Sequence, residues 1–307
     1  MQRFFSRRLI TSILVLLGVS IFTFLMLHLT PGDPVHALVG RQVTSPEKIE
    51  ELREQLGLNK PLAVQYWNYL KDILHGDFGT SLKNNRPVWE CITEQLPGTF
   101  QLTVAALIFS TILGLLFGSL AAFNHGTFLD ELISFLCIVA LSIPSFFLAL
   151  LLIFFFSIQH NWLPSTAKSS DPRSLILPAL TLGIGEAAWL ARLVRSSILD
   201  EMNQQYQWTA RAKGNSESRI LWHHILRNAM IPIITGIGLQ FVYLMAGSVL
   251  IESIFARQGI GRLAVIAIQN RDFPLVQGTV TVISVIYVIV NTIADILYAI
   301  IDPRVRL

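Results

Sequence analysis

Six apolar runs, each 20 residues or longer, dominate this chain: 9–29, 99–123, 132–157, 175–194, 230–254 and 279–301. A helix rises about 1.5 Å per residue, so roughly 20 mostly apolar residues cross the ~30 Å of hydrocarbon in a bilayer. Within hydrocarbon, a helix satisfies all its backbone polar groups inside one segment. The expectation is therefore an all-α, polytopic membrane protein of about six transmembrane helices. Of its 307 residues, 52% are hydrophobic and only 14% charged, against about a quarter charged in soluble domains. The first run follows Arg3, Arg7 and Arg8. It is about twice the length of a signal-peptide core and no small-x-small cleavage site follows it, so it reads as the first span.

Orientation follows the lysines and arginines of the short connections. With the N-terminus inside, the inner segments carry Arg3, Arg7, Arg8, Arg192, Arg195, Arg211, Lys213, Arg219, Arg227, Arg304 and Arg306. The short outer loops carry only Lys168, Arg173, Arg257, Arg262 and Arg271. Both termini are thus expected in the cytoplasm. The net charge of +3 gives no argument for nucleic acid, because the cations sit between spans.

The chain divides, on this reading, into a cytoplasmic N-terminus and first span (1–29), an extracytoplasmic helical loop (30–98) and a five-helix permease-like core (99–307). Inside the loop, Ser45-Pro46 suits a helix start and Gly57 a helix end. Leu62, Tyr66, Leu70 and Ile73 predict a second amphipathic helix, and "GDFGTSLKNNRPV" (76–88) predicts turns. Such an outer knob suits docking or a lid.

Nothing in the sequence is catalytic. No G-x-x-x-x-G-K-[ST] is present to cradle a nucleotide, and no G-x-S-x-G or H-E-x-x-H points to hydrolysis. Cys91 and Cys137 are too few and too far apart for a disulfide framework or metal cage. His223 and His224 are adjacent, about 100° apart on a helix, a poor arrangement for one metal. His28, His36, His75 and His160 show no ligand spacing.

One wet, basic island interrupts the oil: "WTARAKGNSESRILWHHILRN" (208–228). The segment Ser196–Lys213 carries Ile198, Met202, Tyr206 and Thr209 at helical spacing. After Gly214, Ile220, Leu221, Ile225 and Leu226 repeat that spacing. The island thus predicts two short helices joined by a turn at Gly214, where glycine takes φ > 0 without a Cβ penalty. Ala210, Ala212 and Gly214 would form a small-residue notch flanked by cations. Read from composition, the island fits either a partner's groove or anionic headgroups.

"TARAKG" (209–214) followed by "HHILRNAMIP" (223–232) resembles the cytoplasmic motif by which importer-type ABC permeases engage their ATPase subunits. Further segments extend the resemblance over nearly the whole chain: "LTPGDP" (29–34), "LGLNKPLAVQYWNYL" (56–70), "GDFGTS" (76–81), "RPV" (86–88), "ESIFARQGIGRL" (252–263), "NRDFPLVQ" (270–277) and "DILYAIIDPRVR" (295–306). The chain is similar to the first of the two permease subunits of the dipeptide, oligopeptide and nickel importer family. It departs from the general motif at Trp208, Thr209 and Ala210, where Glu-Ala-Ala is usual. It departs again at Arg257-Gln258, where Trp-Pro is frequent.

The resemblance implies a type I ABC importer fold and a peptide substrate, with nickel or a metal-chelate as the alternative. It implies a homologous second permease, two ATPase subunits holding ATP and Mg, an extracytoplasmic binding protein, contact with membrane lipid, and no nucleic acid. This chain itself would bind no cofactor and no metal. Thr209, Ala210, Arg211, Ala212, Lys213, Gly214 and Arg219 are the expected ATPase-contacting residues. Ser142, Pro144, Gln240, Tyr243 and Asn291, polar or helix-disturbing at bilayer depth, are the pathway candidates. A self-sufficient carrier or channel is the competing class. It would place ionisable groups mid-membrane, and the candidates here are few: Glu186, Glu252 and Asp295. Glu186, about one and a half turns before Arg192, suits a structural ion pair or polar contact over a substrate contact.

Overall fold

In a computed structural model, described over residues 2–29, 59–166 and 171–301, the chain is helical almost throughout. The elements are α1 (Gln2–Leu29), α2 (Leu62–Leu74), α3 (Val88–Phe123), α4 (Phe128–Ser142), α5 (Ser145–Leu152), α6 (Ile176–Met202), α7 (Gln205–Ala212), α8 (Glu217–Ile220), α9 (Leu226–Ile254), α10 (Ile260–Gln269) and α11 (Phe273–Ile301). A π-helical turn (Ile153–Gln159) prolongs α5, a 3-10 turn (Pro172–Leu175) opens α6, and a second π turn (Leu221–Ile225) joins α8 to α9.

Among the described residues, four helical stretches are long and apolar enough to cross a membrane: Val88–Phe123, Pro172–Met202, Ser218–Ile254 and Phe273–Ile296. A fifth arises only if α4 and the helix after it form one broken span. The two are bent by 100°. This corrects the expectation of one continuous third span over 132–157. Ser142 ends α4, and Pro144, with no N–H to donate, precedes α5. In α1 the described apolar stretch is Ile10–Met26. The helix expected just before Gly57 lies outside the described residues, whereas the one expected over Leu62–Ile73 is α2.

Two compact units make up the chain. The first joins residues 1–97 to 259–289, the second 98–258 to 290–307. One boundary falls inside α3 immediately after Pro97.

In the first unit, Val88, Cys91, Ile92, Ile260, Ala267 and Leu275 form an apolar core. Beside it, two motifs distant in sequence close on one carboxylate. Asp272, from "NRDFP", accepts from Ser81 Oγ at 2.5 Å and from the Leu82 N–H at 3.1 Å. Its buried charge is thereby satisfied by the turn it organises. The stretch 76–88 is thus a hydrogen-bonded turn rather than a loose loop: Thr80 pairs with Pro87, and Arg86 holds Glu94.

The second unit is built on α6 and α9. Leu190, Val194 and Ile198 of α6 pack with Ala229 and Ile233 of α9. Where α3 passes α6 there is no room for a side chain. A Cβ on Gly118 would lie 2.5 Å from the Ala191 carbonyl oxygen and 2.6 Å from Val194 Cβ.

Candidate coupling site

The basic island folds as a buttressed corner of the second unit. The sequence predicts one helix from Ser196 to Lys213, but the chain breaks at Asn203-Gln204, where Gln204 is extended (φ −73°, ψ 142°). α6 ends at Met202 and α7 starts at Gln205. The second expected short helix is not separate either. α8 runs through the π turn into α9, giving one continuous stretch, Ser218–Ile254.

α7 closes with a glycine cap. Gly214 has φ +78°, its N–H donates to the Arg211 carbonyl (2.9 Å), and the Asn215 N–H donates to that of Ala210 (3.3 Å). These paired bonds form a Schellman motif, in which glycine supplies the left-handed residue. The turn at Gly214 is therefore where the sequence places it.

The corner has a wet side and a dry side. Thr209, Arg211, Ala212, Lys213, Gly214 and Arg219 are exposed, as are Trp208 (71%) and Trp222 (67%). The Arg211 guanidinium lies 5.9 Å from the centroid of the Trp208 ring, within reach of a cation–π attraction. Ala210, by contrast, is buried with Ile198, Ile220 and Ile225. Of the expected notch, Ala210 packs inward against the body, and only Ala212 and Gly214 are exposed.

A residue absent from the predicted set ties this corner together. The Tyr206 hydroxyl donates to Glu201 Oε2 at the end of α6 and accepts from Asn228 Nδ2 of α9 at 3.0 Å. Burial, and then the neighbouring Glu201 carboxylate, raise the Tyr206 pKa, so the phenol stays protonated and keeps donating. In sequence it appears only as one member of an apolar stripe. Its hydroxyl role depends on Glu201 and Asn228, which sequence spacing does not place beside it. Tyr206, Glu201 and Asn228 also border a cavity of about 630 Å³ between α6 and α9, which Trp189 and Gly236 line further along the helices.

The pathway candidates do not form one cluster. Ser142 is exposed and bonds back to the Ile138 carbonyl at 2.8 Å, and Pro144 stands at the broken span. Gln240 is fully buried while Tyr243, one turn on, is 67% exposed. Asn291 is half-buried on α11. Neither amide atom of Gln240 reaches a partner with hydrogen-bond geometry among the described residues, and the half-buried Glu186 lies beside it. Glu186 therefore faces an amide on α9 rather than Arg192 on its own helix.

Near the end of α9, the buried Glu252 accepts from Thr99 Oγ1 at 2.6 Å. Arg257, also buried, donates from Nη2 to Gln101 Oε1 at 3.2 Å. The departure at Arg257 is thus a packed structural group.

The sequence model of a family described as "Binding-protein-dependent transport system inner membrane component" matches residues 114–307, and the family's N-terminal model matches residues 1–103. The chain belongs to this family. A glutathione transport system permease protein of Salmonella typhimurium strain LT2 is 40% identical over 306 residues, covering 100% of this chain and 99% of the relative. A dipeptide transport system permease protein of Alkalihalophilus pseudofirmus is 38% identical over 327 residues, covering 98% of each. Among solved structures, an amino acid ABC transporter matches with a TM-score of 0.58 at 18% identity, over 68% of this chain and 94% of that one. That likeness shows the fold alone. As an inner membrane component of a transport system, the chain is a multi-pass membrane subunit.

Proposed function

We propose that this protein is a permease subunit of an ATP-driven peptide importer. The full-length similarity to dipeptide and glutathione permeases carries this reading, and it favours peptides over nickel or a metal-chelate. An extracytoplasmic binding protein delivers the peptide, a homologous second permease completes the pathway, and two ATPase subunits hold ATP and Mg. The termini and the α7 corner face the cytoplasm.

On this reading the α7 corner is the contact through which ATPase movement reaches the bundle. The exposed tryptophans give apolar anchors of the kind that dominate interfaces. Arg211, Lys213 and Arg219 give charge-assisted bonds. The buried side of α7, through Ala210 and Tyr206, passes displacement to α6 and α9. ATP stabilises one of two packings of the assembly and thereby shifts its population. Ser142, Pro144, Gln240, Tyr243 and Asn291 contribute to the substrate path.

The test is uptake of a labelled dipeptide into proteoliposomes holding both permeases, with the ATPase subunits and binding protein added or omitted. Uptake is expected only when all are present with ATP. Uptake by this chain without the ATPase subunits would make it a self-sufficient carrier and overturn the reading.

A further inference from the structure

The first unit contains an apolar groove of about 360 Å³ between α1, α2 and α11. Leu17 and Ser20 of α1 line it, with Trp67, Lys71 and Leu74 of α2 and Val285 of α11. Its walls are almost wholly apolar, and along α1 it extends from Ser20 to Ile13, about 10 Å of helix axis. That shape suits a linear hydrocarbon.

α2 is fixed against two long apolar helices. Tyr66 hydroxyl lies 2.8 Å from Ser20 Oγ, and Tyr69 hydroxyl 3.2 Å from Thr281 Oγ1. The Phe24 ring contacts both tyrosines, at centroid distances of 5.3 and 5.8 Å. Yet no residue of α2 is fully buried. Leu62, Val64, Trp67 (69%) and Leu74 (84%) are exposed. A helix bonded to two long apolar helices while showing leucine, valine and tryptophan outward is matched to lipid rather than water.

Trp67 and Lys71 stand one turn apart at this groove. Tryptophan at the headgroup level and a lysine whose stem lies along apolar surface with its ammonium at the polar edge are the usual interfacial pair. Lys71 makes no ion pair among the described residues, and it is the one formal charge lining the groove.

We propose that this groove binds a phospholipid, with an acyl chain along the apolar walls and the phosphate on the Lys71 ammonium. An anionic headgroup is preferred because it adds charge where the protein supplies a single cation. α2 is then a lipid-held helix at the membrane surface. The inference rests on groove shape, exposed apolar side chains and charge, and holds whatever the transported substrate.

The assembled complex, purified in detergent and equilibrated with dioleoylphosphatidylglycerol or dioleoylphosphatidylcholine, is read by native mass spectrometry. Wild type should retain a phosphatidylglycerol adduct in preference to phosphatidylcholine. Lys71→Gln, a change at an exposed position, should reduce phosphatidylglycerol retention about fivefold, as expected for one basic contact to anionic lipid. Leu17→Trp, which fills the groove, should remove both adducts. Equal retention in wild type and both variants overturns the proposal. So does protection of residues 62–74 from hydrogen exchange by added binding protein in a complex that retains no lipid, which would make α2 a protein-docking helix.

Discussion

Asp130 and Arg195 meet as a two-pronged ion pair, Arg195 Nε to Asp130 Oδ1 at 2.6 Å and Nη2 to Oδ2 at 2.8 Å. The pair joins the first turn of α4 to α6, close to the α7 corner in sequence. Asp130 is nearly fully buried, and the Gly126 N–H at 3.1 Å and His125 Nδ1 at 3.1 Å complete its shell. Losing Arg195 removes both prongs and leaves the carboxylate with the Gly126 N–H, the His125 ring and the more distant Ser134 hydroxyl. Arg195→Ala should therefore lower the unfolding free energy of the assembly by about 1.5–3 kcal/mol. Replacing both residues by leucine should cost less, because no buried charge is left alone. Thermal unfolding of the purified complexes measures both, and equal losses for single and double variants would show that a stranded carboxylate is not what the single variant costs.

Tyr206 supplies a separate test of transmission. Tyr206→Phe keeps the ring against His224 and keeps Ala210 packed, but removes both bonds of the hydroxyl. Losing the hydroxyl's bonds to Asn228 and Glu201, both half-buried, costs about 0.5–1.5 kcal/mol per bond, which loosens α7 without unfolding it. The expected outcome is normal insertion and subunit association with fewer peptides imported per ATP hydrolysed. An unchanged transport-to-hydrolysis ratio would show that the phenol is structural only.

Much of this architecture was legible in the sequence because hydrocarbon leaves so few solutions. Apolar runs marked most of the long helices, and Gly214 marked its own turn. Four features were not legible. The 100° break at Ser142–Pro144 lies inside a run apolar on both sides, and hydropathy carries no direction. The burial of Ala210 and the bonds of Tyr206 depend on α6 and α9 approaching, so spacing along one helix could not show which face turns inward. Asp272, quoted only as part of a motif, gains its role from a turn 190 residues earlier.

Gln240 separates a structural from a transport role. Its amide is fully buried and, among the described residues, reaches no partner with good hydrogen-bond geometry, only the Glu186 carboxyl beside it. Gln240→Leu should leave thermal stability equal or raise it, since removing an unsatisfied amide recovers up to about 1–3 kcal/mol. If the Gln240–Glu186 neighbourhood serves the peptide path, the same variant should reduce uptake severalfold despite its stability. A stable variant with full uptake would remove Gln240 from the pathway set.

Gly214 is the sharpest test of the corner. Among the described residues, no atom beyond its chain neighbours lies within 4 Å of a Cβ built there, so it is the left-handed backbone (φ +78°) that resists substitution. That resistance is on the order of 1–2 kcal/mol for an ordinary side chain and smaller for asparagine. Gly214→Val should leave the chain inserted and folded while strongly reducing uptake. Gly214→Asn then divides the cause: recovered uptake assigns the defect to the backbone turn, and continued loss assigns it to a clash with a partner's surface. Ala210→Asp acts differently, burying a charge among Ile198, Ile220 and Ile225, and should lower stability as well as uptake. Arg219→Glu should weaken ATPase co-purification most at low salt, since exposed charge pairs are screened within about 10 Å at 0.1 M. If the corner instead rests on lipid headgroups, Gly214→Val is silent and Arg219→Glu leaves ATPase association intact. Uptake and co-purification measured on these variants decide the matter, and wild-type uptake by Gly214→Val would exclude α7 as the transmitting contact.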